Sequence, residues 1–273
     1  MSLRTGLAIG ALAIMAAGTG AAATLTTIFA PTRVAPVSLS QSDLQAVAAV
    51  TGLAGSHPLD GFASPSGSSR LRFGTLSWSS GPAHSVSSRA QAAAQTGLPL
   101  TLPAHLPAGV GAVQGLTVQP RVTATVTFNS SAAGLAGSAV TLDAGPAVVV
   151  QYRGTGSAIL TTLGVATMRR PTAQSTGASL SQIEAFLLGQ PGIPPQLAEQ
   201  IRLLGDLRAI LPVPVPSGAS TRLVLVDGRP GTLLADASNA AAGVVWEDGR
   251  GLLHVVVGVL DAQDVLNVAS QLG

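Results

Sequence analysis

Lysine and cysteine are both missing from this 273-residue chain, and tyrosine occurs once. Without cysteine there is no disulfide, thiolate zinc site, cysteine nucleophile or acylated lipoprotein cysteine, so an exported domain must rest on its core alone. Without lysine an S-x-x-K acyl-transfer motif is excluded. Charge is scarce as well. Charged residues make up 10% of the chain against about a quarter in ordinary domains, while 47% are hydrophobic, the reverse of a disordered composition. The pI of about 10.4 reflects an all-arginine set of cations, since the formal net charge is only +2. Those arginines are dispersed, with Arg169-Arg170 the one adjacent pair, whereas nucleic-acid binding needs a clustered basic face. No nucleic-acid partner is expected. The Ala/Gly-rich, lysine-free composition points to a high-GC coding bias of the actinobacterial kind.

What is present begins with an apolar leader. Arg4 is followed by Gly6–Ala30 without a charge, and roughly 25 helical residues would span about 37 Å, enough for a bilayer core of about 30 Å. Residues 1–30 are therefore expected to be a transmembrane anchor, oriented N-inside by Arg4. The alternative is a cleaved signal peptide, with Ala21-Ala22-Ala23 as its cleavage site. Either form places the rest of the chain outside the cytoplasm: at the cell membrane as a single-pass protein, or secreted.

Residues 31–96 mix Ser, Gly, Pro and Ala and read as a membrane-proximal region with short helices. One helix covers 40–50, capped by Ser40 or Ser42 with Leu44 and Val47 on one face; another covers 88–96 and stops at Gly97. The run from Leu98 to Gly109 holds three prolines at four-residue spacing, which forbids a helix and predicts an extended strap. Residues 97–273 then form the main domain. Val122, Ala124, Val126 and Phe128 alternate with threonines within a strand region at 118–128, and 147–152 and 159–168 are further strands. Ser179–Gln182 and Ser181–Glu184 both carry capping-box spacing for a helix ending at Gly189. Pro194-Pro195 opens a second helix with Leu197, Ile201, Leu204 and Leu207 on one face. The segment 211–216 reads as another strap. Asp227-Gly228 and Asp248-Gly249 mark hairpin turns between successive strands, and Asp261 caps a last helix.

Candidate chemistry is thin. The four histidines show no metal-ligand spacing, no G-x-S-x-G elbow is present, and the few carboxylates fall at turns and helix ends. Neither a metal nor a cofactor is expected, and no catalytic residue is assigned. The segment 109–115 misses the dinucleotide fingerprint by one residue. A hydrolase would need His254 beside an Asp or Glu in a cleft; as a residue of an alternating strand, His254 is expected to be half exposed. Trp246, His254 and Tyr152 are the candidates for contact with a ligand or partner.

From Gly97 onward, four stretches carry a resemblance. They are Leu102-Pro103-x-x-Leu106-Pro107-x-Gly109, Val226-Asp227-Gly228-Arg229-Pro230-Gly231, Val245-Trp246-Glu247-Asp248-Gly249, and Val257–Leu260 leading into Val265-Leu266-x-Val268-Ala269-x-x-Leu272. In these the chain resembles an extracytoplasmic domain of unknown function in Gram-positive anti-sigma-factor-like membrane proteins, distantly similar to the lipoprotein-carrier and RseB-like half-barrel fold. The resemblance implies an antiparallel sheet curved around helices, used for sensing or carrying rather than catalysis. Too few residues precede the apolar leader for a cytoplasmic sigma-binding domain. The expected fold class is α+β, a curved antiparallel sheet with helices packed on one face, preceded by a transmembrane helix. The expected function is non-enzymatic sensing or binding, directed at an envelope protein partner or a hydrophobic ligand. A lipid or lipoprotein carrier and a secreted hydrolase are the alternatives, and an apolar cavity distinguishes the carrier.

Overall fold

A computed structural model describes residues 25–52, 66–155, 161–216 and 218–272. They form two sheets, a two-stranded ribbon between them and five helices. The expected α+β, mostly antiparallel character holds. The expected single curved sheet is corrected to two sheets, each carrying its own helices.

The six-stranded sheet runs, edge to edge, β1 (Thr26–Phe29), β11 (Thr172–Thr176), β8 (Ala139–Ala144), β7 (Val122–Phe128), β4 (Gly74–Ser80) and β3 (Ser66–Leu71), all antiparallel. The alternation read in β7 sets its two faces: Ala124, Val126 and Phe128 are buried, and Thr127 is exposed. At one end Phe73 stacks on Phe128 at 5.9 Å, and Phe186 meets both edge-on, which anchors a helix to the sheet.

The eight-stranded sheet runs β13 (Ser220–Val226), β14 (Arg229–Ala235), β15 (Ala242–Glu247), β16 (Leu252–Gly258), β10 (Thr161–Arg169), β9 (Ala147–Gly154), β6 (Val110–Gln119) and β5 (His84–Val86). Asp227 at φ 48° and Gly228 at φ 74° make the tight β13–β14 turn that Asp-Gly predicts. The expected strand region at 118–128 breaks at Pro120-Arg121: β6 belongs to the second sheet and β7 to the first. Arg121 clasps Asp143 across this corner, its Nε donating to Oδ1 at 2.7 Å.

The ribbon is β2 (Arg33–Leu39) parallel to β12 (Ile210–Pro216), which turns the expected strap at 211–216 into a paired strand. Prolines 212, 214 and 216 recur every second residue, so one edge of β12 has no N–H to offer and cannot recruit another strand. The free edge of β2 is met by the Gln200 amide, whose Oε1 accepts from Ser38 N at 3.0 Å. Alternation gives the ribbon two faces. Val34, Leu211 and Val213 pack with Val245 and Leu253 of the eight-stranded sheet, while Val37, Ile210 and Pro212 turn toward the six-stranded sheet.

Helices α1 (Gln41–Thr51), α3 (Leu180–Leu188) and α4 (Pro195–Leu204), the last packed on ribbon strand β2, lie on the side of the first sheet; α2 (Arg89–Thr96) and α5 (Ala262–Ala269) cover the second. The caps follow the sequence. Ser40 and Asp43 close a box on α1, Ser179 and Gln182 close one on α3, and Asp261 accepts from Asp264 N on α5.

Two expected boundaries are corrected. The anchor assigned to 1–30 overruns a folded strand: Thr26–Phe29 is β1, with Ile28 and Phe29 buried in the core. The remainder of that segment lies outside the described residues, and no described helix is long and apolar enough to cross a membrane. The region 31–96 is not a separate module, because β3 and β4 join β7 and β8 in one sheet. At Gly74 that pairing is so close that a Cβ would stand 2.0 Å from the carbonyl oxygen of Thr127.

Candidate functional site

Between the six-stranded sheet and its three helices lies a partly enclosed cavity of about 200 Å³. Its floor is Phe29 of β1, Leu76 of β4, Val126 of β7, Val140 of β8 and Ala173 of β11. Its roof comes from Leu44 and Val47 of α1, Ile183 and Leu187 of α3, and Leu197, Ile201 and Leu204 of α4. The ribbon closes a side with Val37, Ile210, Pro212 and Pro214. The α4 stripe read from helical spacing, with Leu207 beyond it, thus faces a space rather than a filled core.

Of the lining side chains only Thr51 and Glu184 are polar. The Thr51 hydroxyl is already committed to the carbonyls of Val47 at 2.8 Å and Ala48 at 3.1 Å. Glu184 stands where the cavity meets a second, more polar recess of about 580 Å³, with Ile28, Leu180 and Leu207 common to both. Packed interiors leave few voids larger than a water molecule, and an apolar void gives water too few hydrogen-bond partners to fill it. This arrangement accepts an apolar group and lacks the paired donors and acceptors of a catalytic centre.

The three residues singled out in the sequence lie elsewhere. Tyr152, Trp246 and His254 are all buried in the eight-stranded sheet, and none borders the cavity. Trp246 and His254 are cross-strand partners whose rings stack at 5.1 Å. Gly231 opposite leaves room for the tryptophan, since a Cβ there would stand 3.0 Å from that of Trp246. The expectation of a half-exposed His254 is corrected: it is 4% exposed, because helix α5 and its core cover that face. The Tyr152 hydroxyl is buried without a hydrogen-bond partner, and burial raises its pKa, against the charge of Arg89.

Around His254 is a triad-like chain. Its Nε2 lies 3.4 Å from Asp248 Oδ2 and its Nδ1 3.2 Å from Thr167 Oγ1. A carboxylate only accepts, so Nε2 carries the proton and Nδ1 accepts from the threonine hydroxyl. Asp248 also accepts from the backbone N–H of Arg250 at 2.8 Å and of Leu252 at 3.2 Å, and its Oδ2 pairs with the Arg250 guanidinium at 2.7 Å. Glu247 accepts from Gly249 N and Gly251 N, so the two carboxylates knit the β15–β16 turn. Thr167, His254 and Asp248 are all sealed from solvent, and neither recess reaches them. They hold a turn and a sheet row together.

Burial lowers the His254 pKa below its ordinary value, against the opposing pull of Asp248. Burial acts the other way on Asp248, but the N–H groups of Arg250 and Leu252 and the Arg250 guanidinium outweigh it and leave its pKa lowered. A histidine whose folded pKa is depressed stabilises the fold while neutral, and that contribution fades as pH falls through its unfolded value of about 6.5 toward the folded one. Asp248 contributes above its ordinary value near 3.8 and loses its contribution only below that. Exposed His84, raised by its hydrogen bond to Gln95, works in the opposite direction to His254. We expect thermal stability to drop between pH 7 and pH 5, and His254→Gln, which keeps a donor for Asp248 and an acceptor for Thr167, to flatten that drop. An unchanged slope in the variant would assign the dependence to another group.

No protein-family model, curated protein or solved structure matches this chain. The geometry alone defines the class of site, an apolar cavity between a sheet and its helices with a polar mouth.

Proposed function

We propose that this chain is a non-enzymatic, extracytoplasmic binding domain for a hydrophobic ligand, serving as a sensor or carrier. The observation that carries the reading is the apolar cavity under α1, α3 and α4, where all but two lining side chains are hydrocarbon. A sheet packed solid would have left only protein-partner binding. An empty cavity costs stability roughly in proportion to its volume, and a ligand that fills it returns that stability. The export half of the reading rests on the uncharged leader behind Arg4.

The test is titration of the full chain with N-phenyl-1-naphthylamine, an uncharged apolar fluorophore. Saturable one-to-one enhancement, displaced by a saturated C12 chain, supports the reading. Fluorescence that rises without saturation, or fails to rise, overturns it.

A further inference from the structure

The polar recess beside the cavity gives the ligand a second half. Thr26, Ser175, Ser179, Ser181 and Gln182 line it, with Glu184 and Leu180 forming the border with the apolar space. Its charges are Glu184, Asp206 and Arg208, two carboxylates against one guanidinium.

The N-terminus of α3 is not itself the attraction. Two of its free N–H groups are taken by the capping box, in which Ser179 Oγ accepts from Gln182 N at 3.3 Å and Gln182 Oε1 accepts from Ser179 N at 2.8 Å. The independent signal is Ser175. It lies on β11 opposite Thr26 and lines the recess while only 2% exposed, and its hydroxyl finds no hydrogen-bond partner. A buried hydroxyl without a partner destabilises the empty protein, and a ligand hydroxyl placed beside it supplies what is missing.

We propose that the cargo is an amphiphile: a hydrocarbon chain in the apolar cavity and an uncharged, hydroxyl-bearing head, glycerol or a sugar, in the recess. This rests on the hydrophobic-ligand reading above. The head chemistry follows from the balance of groups. Hydroxyl and amide side chains both donate and accept, as do ligand hydroxyls. An anionic head would face Glu184 and Asp206 with Arg208 alone in its favour. A cationic head would gain Glu184 and Asp206 against Arg208, but it would use only acceptors and leave the hydroxyl and amide donors idle. The apolar space alone falls below the 300–1,000 Å³ usual for ligand pockets, and with the recess of about 580 Å³ it enters that range.

The experiment is displacement of N-phenyl-1-naphthylamine from the full chain by four C12 amphiphiles below their micellar concentrations: monododecanoylglycerol, dodecyl glucoside, dodecyl phosphate and dodecyltrimethylammonium. The glycerol or glucosyl compound is expected to bind at least about tenfold tighter than either charged one, the difference one or two hydrogen bonds make. Which of the two leads distinguishes a glyceride from a glycoside source. Ser175→Ala should raise the melting temperature of the empty protein, weaken the hydroxylated amphiphiles and leave the fluorophore's own affinity unchanged. Equal affinity for all four heads, or preference for a charged one, overturns the head assignment and leaves the cavity reading standing. Unchanged amphiphile binding in Ser175→Ala removes that residue from the site. Failure of the fluorophore itself to bind overturns the cavity reading and this proposal with it.

Discussion

Val126→Phe abolishes uptake of an apolar ligand without unfolding the protein. Val126 stands at the middle of β7, 1% exposed, with its side chain on the cavity floor beneath α1 and α4. In a filled core the added atoms would clash at a cost of about 1–3 kcal/mol. Here they enter existing space, so the melting temperature should hold or rise. The affinity for N-phenyl-1-naphthylamine should fall at least about tenfold, close to 1.4 kcal/mol. Thr127→Phe is the matched control: the neighbouring residue of the same strand points to the exposed face and should bind as the parent does. Equal loss in both variants would mean the ring acts on the sheet rather than on the cavity.

Trp246→Ala has the opposite signature, a large loss of stability with ligand binding retained. The indole is 1% exposed, stacked on His254 and enclosed by Val244, Val256 and the α5 residues of the same core. Removing a buried aromatic of this size costs about 3–5 kcal/mol, a large share of the roughly 5–15 kcal/mol that holds a domain together. The expected fall in melting temperature is on the order of 10 °C. Because Trp246 borders neither recess, the fluorophore affinity measured well below the new midpoint should match the parent. A tryptophan that served as a stacking platform would show the reverse: small destabilisation and lost binding.

These two variants also mark where the sequence was informative. Local signals translated directly into local structure. The Ser40 cap, the Ser179 capping box, the Gly97 stop and the Asp227-Gly228 turn all appear where the residues require them, since each is decided within a few positions. The partners of the strands were not legible. β1 and β11 are neighbours although almost 150 residues separate them, and no short-range pattern encodes that pairing. The strand region at 118–128 runs through Pro120 in the sequence pattern, and nothing local marks it as the corner where the chain changes sheets. The strap at 211–216 looked like an isolated extended segment because its pairing to β2 is parallel and remote.

The site divides in the same way. The α4 stripe of Leu197, Ile201 and Leu204 was visible as an amphipathic face, yet spacing cannot distinguish a face that fills a core from one that roofs a cavity. The floor residues are ordinary apolar strand positions on five different strands, so the cavity exists only in the assembled sheet. Trp246, Tyr152 and His254 drew attention because aromatics and histidines are rare here, and rarity is no guide to exposure. The hydroxyl of Ser175 is the least visible of all: one serine among many, set apart only by burial without a partner.

The most direct test of the central claim is native mass spectrometry of the protein purified from the envelope of its own host in mild detergent. The account predicts one apolar or amphiphilic molecule bound per chain, released on solvent extraction and absent from Val126→Phe. A wild-type protein that emerges from that envelope at its bare polypeptide mass, and stays so after incubation with the host's extracted lipids, would contradict it.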